Sequence, residues 1–148
     1  MSNYPIWWDT TVTVYNKYED AQTHVITWFR KVITGTFWKY VKDTVSINNT
    51  VLESKKTICR IRENSAFLEK YVWLAKTTEQ KANYFTLGQG DIIVKGEVTD
   101  TIDEYTDGSR STDLLTKYQA LQGCMEIDVV SINTGPGRCE PHYRVEGN

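Results

Sequence analysis

The chain is poor in the residues from which compact chemical sites are usually built. Its 148 residues include three cysteines and two histidines. Cys59, Cys124 and Cys139 form an odd set without a CxxC spacing, and only His24 and His142 accompany them, so a Cys/His zinc site is not expected. No stretch approaches the roughly 18 apolar residues of a membrane span, so no membrane partner is expected. Residues 1–9 lack a basic region and an apolar h-region, and are not read as a secretory signal. An excess of one charge is missing too. Lys and Arg number 17 against 19 Asp and Glu, a formal net charge of −2, which argues against coating nucleic acid by bulk electrostatics. GxSxG, HExxH, DxDxDG and GxxxxGK[ST] do not occur. No catalytic residue, no cofactor site and no metal site is therefore expected.

Aromatic residues are what the chain does have, with 5 Trp, 9 Tyr and 4 Phe. Its length suits one domain over residues 1–148, able to bury about two-thirds of the unfolded surface without a disulfide or metal. Residues 10–15 (TTVTVY) alternate as a half-buried strand, with Val12 and Val14 on one face. Polar residues 16–22 read as a loop. Residues 24–33 and 36–41 read as strand, and Gly35 either bends one long strand or closes a hairpin. Residues 44–47 and 50–53 flank Asn48-Asn49, a pair that tolerates the positive φ of a type I′ hairpin. Few apolar residues lie on that hairpin, so it is expected to project from the body.

Residues 56–62 form another expected strand. In residues 63–86, Asn64-Ser65 and Thr77-Thr78 are placed to cap two short helices. The turn Gln89-Gly90-Asp91 leads into a strand at 92–95, and 97–102 alternates again. Ser111 opens the most regular helix, where Leu114, Leu115, Tyr118 and Leu121 recur at helical spacing and Gly123 supplies a stop. Strands at 125–132 and 142–145 end the chain. The expected fold is mainly β, a small barrel of about eight strands with one helix in the C-terminal half and short helical insertions.

Four groups invite a chemical reading. Cys59 and Cys124 sit among strand-type apolar residues and read as core, whereas Cys139 in a Gly/Pro turn reads as an exposed thiol. Cys139 with His142 has the residue types of a nucleophile and base, but nothing supplies an orienting third group. Asp100, Asp103, Glu104 and Asp107 form an acidic run, which reads as a solvated loop more readily than as a cation site. Arg30, Lys31, Lys39 and Lys42 interleave with Trp28, Phe29, Trp38 and Tyr40, as on small barrels that stack nucleic-acid bases. Two faces of an ordinary strand produce the same alternation. Trp28, Phe29, Phe37 and Trp38 are assigned chiefly to the core.

Gly90-Asp91-Ile-Ile-Val-Lys-Gly96 within LGQGDIIVKGEVTDTI, the earlier TVTVYNK and TWFRKVITGTFWK segments, and the closing His142-Tyr-Arg-Val-Glu-Gly147 occur in one order. Together they resemble head–tail joining proteins encoded in prophages of Gram-positive bacteria. The resemblance implies a virion structural protein, not an enzyme, with its place in the neck after assembly in the host cytoplasm. It implies a head–tail connector, an adaptor or stopper forming a homo-oligomeric ring against the portal and the neck or tail proteins. A tail terminator-like ring protein is the nearest alternative, and a nucleic-acid-binding barrel the alternative from another class. DNA would pass such a ring without being held, so the near-neutral charge suits it. The hairpin at 44–53 and the insertion at 63–86 are then candidates for inter-ring or channel-gating elements, or else loops that cover the barrel ends.

Overall fold

The alternating β-branched and aromatic residues condense into antiparallel strands that close on themselves. In the computed structural model, which describes residues 4–121, 123–135 and 140–148, these are β1 (Thr10–Glu19), β2 (Ile26–Ile47), β3 (Thr50–Arg62), β4 (Ile92–Lys95), β5 (Cys124–Asn133) and β6 (His142–Gly147). Three short helices, α1 (Lys70–Leu74), α2 (Thr78–Asn83) and α3 (Ser111–Gln119), lie between them. Around the barrel the order is β1-β2-β3-β6-β5-β4, with β4 returning to β1.

The protein is thus mainly β with a closed barrel, but the described residues form six strands where about eight were expected. Residues 26–47 are one strand of 22 residues that bends at Gly35 (φ +69°), which answers the open question of bend or hairpin. The expected strands at 44–47 and 36–41 are parts of it, and those at 50–53 and 56–62 are parts of β3. Residues 97–102 form no strand. Val98 packs under α3 with Leu114 and Tyr118, so the alternation there records a loop wedged between helix and barrel wall.

Side-chain alternation sorts the core into two clusters. Val12, Val14, Ile33, Cys59, Ile61, Ile93, Met125, Ile127, Tyr143 and Val145 point inward and fill the barrel. Tyr15, Ile92, Val94 and Cys124 point outward from β1, β4 and β5 and are covered by Leu114 and Tyr118 of α3. The strands β1 and β4 are therefore buried on both faces. Trp28 is partly buried against the outer cluster, while Trp38, opposite the inward-facing Cys59, is partly buried against the interior one. Phe29 stands edge-on to Trp73 at 5.5 Å, and Phe37 lies 6.3 Å from Trp8. Of the four aromatics assigned chiefly to the core, Trp38 packs on the interior cluster, and the assignment is corrected for Trp28, Phe29 and Phe37, which lie against the outer cluster, Trp73 and Trp8. Trp73, fully buried in the insertion, is the largest core side chain.

Residues 63–86 close one end of the barrel, with Phe85 and, just beyond, Leu87 inside the interior cluster and Phe67 packed against it. Thr77 caps α2 through a reciprocal pair with Gln80, as its sequence suggested. Asn64 does not cap α1; its side chain accepts from Ala66 N (2.8 Å) and turns the chain before the helix starts. At α3 the Ser111 amide donates to Glu104 Oε1 (2.7 Å) and the Arg110 amide to Asp113 Oδ2 (3.2 Å), so carboxylates hold the first turn where the Ser111 hydroxyl was expected to.

Gly147 ends β6 beside an irregularity in β5 between Ile127 and Val129. A Cβ at this position would lie 1.9 Å from the Glu126 carbonyl oxygen, a backbone atom that has no room to move aside. Gly147→Ala is expected to destabilise the protein by about 2–4 kcal/mol through overpacking. Chemical denaturation with the slope held common to both proteins measures it, and an unchanged midpoint would contradict the close approach.

Candidate functional site

Two features depart from what a barrel needs in order to fold. The first is an arm. β2 pairs with β1 only as far as Thr36, and β3 pairs with β6 only from Thr57. Beyond those limits β2 and β3 continue as a two-stranded ribbon, from the pair Val41↔Lys56 to Ile47↔Thr50. Seven residues per strand give it a length of about 20 Å. Asn48 and Asn49 have φ of 50° and 66° at its tip, as the type I′ turn expected there requires.

Cross-strand partners share a face, so Val45, Ile47 and Leu52 lie together on one side of the arm and Val51 on the other. All four are about half or more exposed, Val51 at 64%, so the hairpin projects as expected but carries more apolar surface than expected. Lys42 and Lys55 flank Glu53 at 3.3 and 3.8 Å, and Lys56 reaches Glu146 of β6 at 3.9 Å. A ribbon of two strands is marginally stable in water unless another surface covers it.

The second feature is a buried carboxylate. Asp91 follows Gly90 in the turn before β4 and is fully buried. Its Oδ1 accepts from the Lys17 amide (2.9 Å) and from Lys70 Nζ (2.9 Å), and its Oδ2 from Asn16 Nδ2 (3.1 Å). Asn16 in turn donates to the Thr86 carbonyl (2.6 Å) and accepts from the Thr86 amide (3.1 Å). These contacts correct the loop expected at 16–22. Asn16 is buried with its side chain on Thr86 of the insertion, and Lys17, whose side chain is exposed, is held through its amide, so both stay in β1.

Burial raises the pKa of Asp91 above the usual carboxylate range, against the pull of Lys70 and the three donors. Lys81, a buried cation, stacks over Tyr18 (4.3 Å) and near Trp73 (5.6 Å) and donates to the Lys76 carbonyl. Burial lowers its pKa. The sequence singled out neither side chain, although the Gly90-Asp91 turn that carries one of them was recognised.

The remaining sequence candidates disperse. Arg30 Nε donates to the Val98 carbonyl (2.7 Å) and Lys31 Nζ to the Asn83 carbonyl (3.3 Å), on opposite faces of β2. Lys39 is exposed on the face opposite Trp38 and Tyr40, and Lys42 is beside Glu53. The four cations therefore divide between the two faces of the strand, Lys42 on the side of Trp38 and Tyr40 and Lys39 on the other. An open cavity of about 790 Å³ lies at the root of the arm, with Trp38, Tyr40 and Lys55 on one wall and Leu121 on the other.

In the acidic run, Asp100 accepts from Tyr118 Oη (2.6 Å) and Lys117 Nζ (2.8 Å), which holds its carboxyl below the ordinary range. Asp103 accepts from the Tyr105 amide (2.9 Å) and the Thr106 hydroxyl (2.8 Å), while Asp107 pairs with Arg110 at 2.9 Å. Each of these three carboxylates thus holds local structure. Cys59 and Cys124 are buried, with thiols pushed up to about 12 and about 11 by burial. His142 Nδ1 donates to the Glu140 carbonyl (2.8 Å) and its ring meets Trp8 edge-on. Cys139 lies outside the described residues, as does most of the turn that holds it.

The class defined here is a closed six-stranded antiparallel barrel, plugged at one end by an insertion and extended by an exposed arm. Over residues 7–148 the chain matches the model of a family of unknown function, DUF6751, and it belongs to that family. No curated protein and no solved structure matches it. Among the described residues, no three His, Cys, Asp or Glu side chains converge to hold a metal ion, and no helix is long and apolar enough to cross a membrane.

Two stability measurements test this geometry. Asp91→Ala leaves Asn16, Lys70 and the Lys17 amide without their acceptor and is expected to cost about 3 kcal/mol. A change below about 1 kcal/mol by denaturant titration would show that the node is dispensable. Asp100 has a depressed folded pKa, so its contribution is full above the ordinary carboxylate range and disappears as pH falls through the folded value. Asp100→Asn should therefore lower stability near neutral pH, by less than about 1 kcal/mol because solvent screens the group. Its unfolding curve should merge with that of the parent protein in acid, and a constant difference across pH would contradict the pairing.

Proposed function

We propose that the chain is a structural subunit of a tailed phage or prophage particle, a head–tail connector that assembles as a ring between portal and tail. The observation that carries this reading is the arm, a two-stranded ribbon holding Val45, Ile47, Val51 and Leu52 in water. Such an element gains its remaining stability from a neighbouring molecule. A closed barrel has no free edge strand to offer, so its contacts with neighbours must come through arms and loops. The sequence resemblance supplies the setting, and membership of DUF6751 is compatible with it without adding a function.

The insertion at 63–86 has a different role in this reading. It fills the barrel end and is bolted to Asp91, so it belongs with the covering elements and is not a gate. DNA transit fits a formal charge of −2, because a wall that must let DNA slide should not hold it. Arg30 and Lys31 are engaged by backbone carbonyls and Lys42 by Glu53, which weighs against a base-stacking surface.

Co-expression with the portal and neighbouring neck proteins of the same phage genome, followed by electron microscopy, tests the proposal. The expected result is density for this subunit in a ring stacked on the portal. Its absence from every portal or neck complex would overturn the connector reading. Tight, salt-sensitive binding to duplex DNA by the isolated protein would favour the nucleic-acid-binding alternative.

A further inference from the structure

The arm and the acidic loop sit at opposite ends of the same strand. Ile47, the last residue of β2, is at the arm's tip. Ile26, the first, donates its amide to the hydroxyl of Tyr105 in the loop between β4 and α3 (2.9 Å). The two places differ in charge. Residues 37–60, the arm and its root, hold five cationic side chains and two carboxylates, whereas residues 97–113 hold six carboxylates and one cation. Both also expose apolar surface. Val45, Ile47 and Leu52 on one face of the arm are 49–52% exposed, and on the loop side Tyr105 is 63% and neighbouring Val25 47% exposed.

From this we infer that the partner of the arm is a second copy of this chain, and that the arm of one protomer docks on the loop around Tyr105 and Asp107 of the next. The inference rests on the ring reading and names the contact that would build the ring. Opposite charges bring the two patches together and set their orientation, while burial of the apolar side chains holds them. Because the two patches are different surfaces of one protomer, the contact is head-to-tail. Repetition of such a contact closes a ring when the rotation per subunit closes, and otherwise extends a filament. A contact built from two copies of the same patch would stop at a dimer.

The test uses two surface variants and native mass spectrometry over a range of protein concentration. Val45→Glu with Leu52→Lys replaces the arm's exposed apolar cross-strand pair by an opposite-charge pair that keeps the ribbon paired, and Tyr105→Ala with Asp107→Lys alters the loop. All four positions are exposed, so each double variant should keep the circular dichroism of the parent, and the loop variant should unfold only slightly earlier, from loss of the Ile26–Tyr105 hydrogen bond and the Asp107–Arg110 pair. Each alone is expected to associate about tenfold or more weakly than the parent, the ratio that corresponds to about 1.4 kcal/mol. An equimolar mixture should form a one-to-one dimer that does not grow, since only the intact arm of one variant can meet the intact loop of the other.

The other outcomes separate the two ideas. Arm variants that assemble like the parent overturn the arm-to-loop contact while leaving the ring in place. Loss of assembly in the arm variant with normal assembly in the loop variant overturns the loop as partner, and points to an arm-to-arm contact or another protein. A parent protein that stays monomeric both alone and on the portal overturns the ring and the contact together.

Discussion

A single buried carboxylate ties together parts of the chain that would otherwise have separate fates. Asp91 faces β1 through Asn16 and the Lys17 amide, and the insertion through Lys70. A charge in that position is tolerable only if its hydrogen-bond capacity is filled, and four contacts do so, since Lys70 Nζ reaches Oδ2 (3.1 Å) as well as Oδ1. Satisfying it forces β1 to run on past Tyr15, forces α1 to lie across the barrel end, and thereby carries Phe85 and Leu87 into the interior. The apolar core and the polar node are thus mutually dependent. Without the insertion the barrel would be open to water at that end, and without Asp91 the insertion would lose its main polar attachment.

The opposite behaviour of the arm follows from the same logic. Every strand segment inside the barrel has neighbours on both sides, and most of its large side chains have a packed environment. Past Thr36 on β2, and on the hairpin side of Thr57 in β3, those neighbours end while the strand pairing continues. Backbone pairing alone adds little stability per residue in water. An arm of this length and apolar content is therefore best understood as half of an interface, whose other half the proposed ring would supply.

Much of this organisation was legible in the residues. The alternation at Thr10–Tyr15, the Asn48-Asn49 turn and the capping pair around Thr77 all depend on local stereochemistry, and local stereochemistry is written in short sequence windows. The stop expected at Gly123 falls earlier, with α3 ending at Gln119 and capped at Ala120. What escaped was long-range. Asn16 and Lys17 look like loop residues until the insertion delivers the Thr86 carbonyl and the Asp91 carboxylate to them. Val98 and Ile102 alternate like a strand because α3 lies over them, a contact made by Leu114 and Tyr118 from later in the chain. The large aromatics misled in the other direction. Size suggested the barrel interior, but six strands enclose too little room, and Trp28 and Trp38 settle on its outside or at its mouth.

That narrowness bears on where DNA would run. Eight strands make a barrel whose interior is just filled by side chains, and six enclose less. Here Val12, Val14, Met125, Ile127 and Val145 occupy the centre with no exposure at all, so a protomer has no bore of its own. The passage of a connector built from such subunits is a void between molecules, walled by outward-facing side chains and loops. Those residues are released from core packing, so the charge and width of the passage can change by surface substitution while the folding stability of each protomer stays as it was.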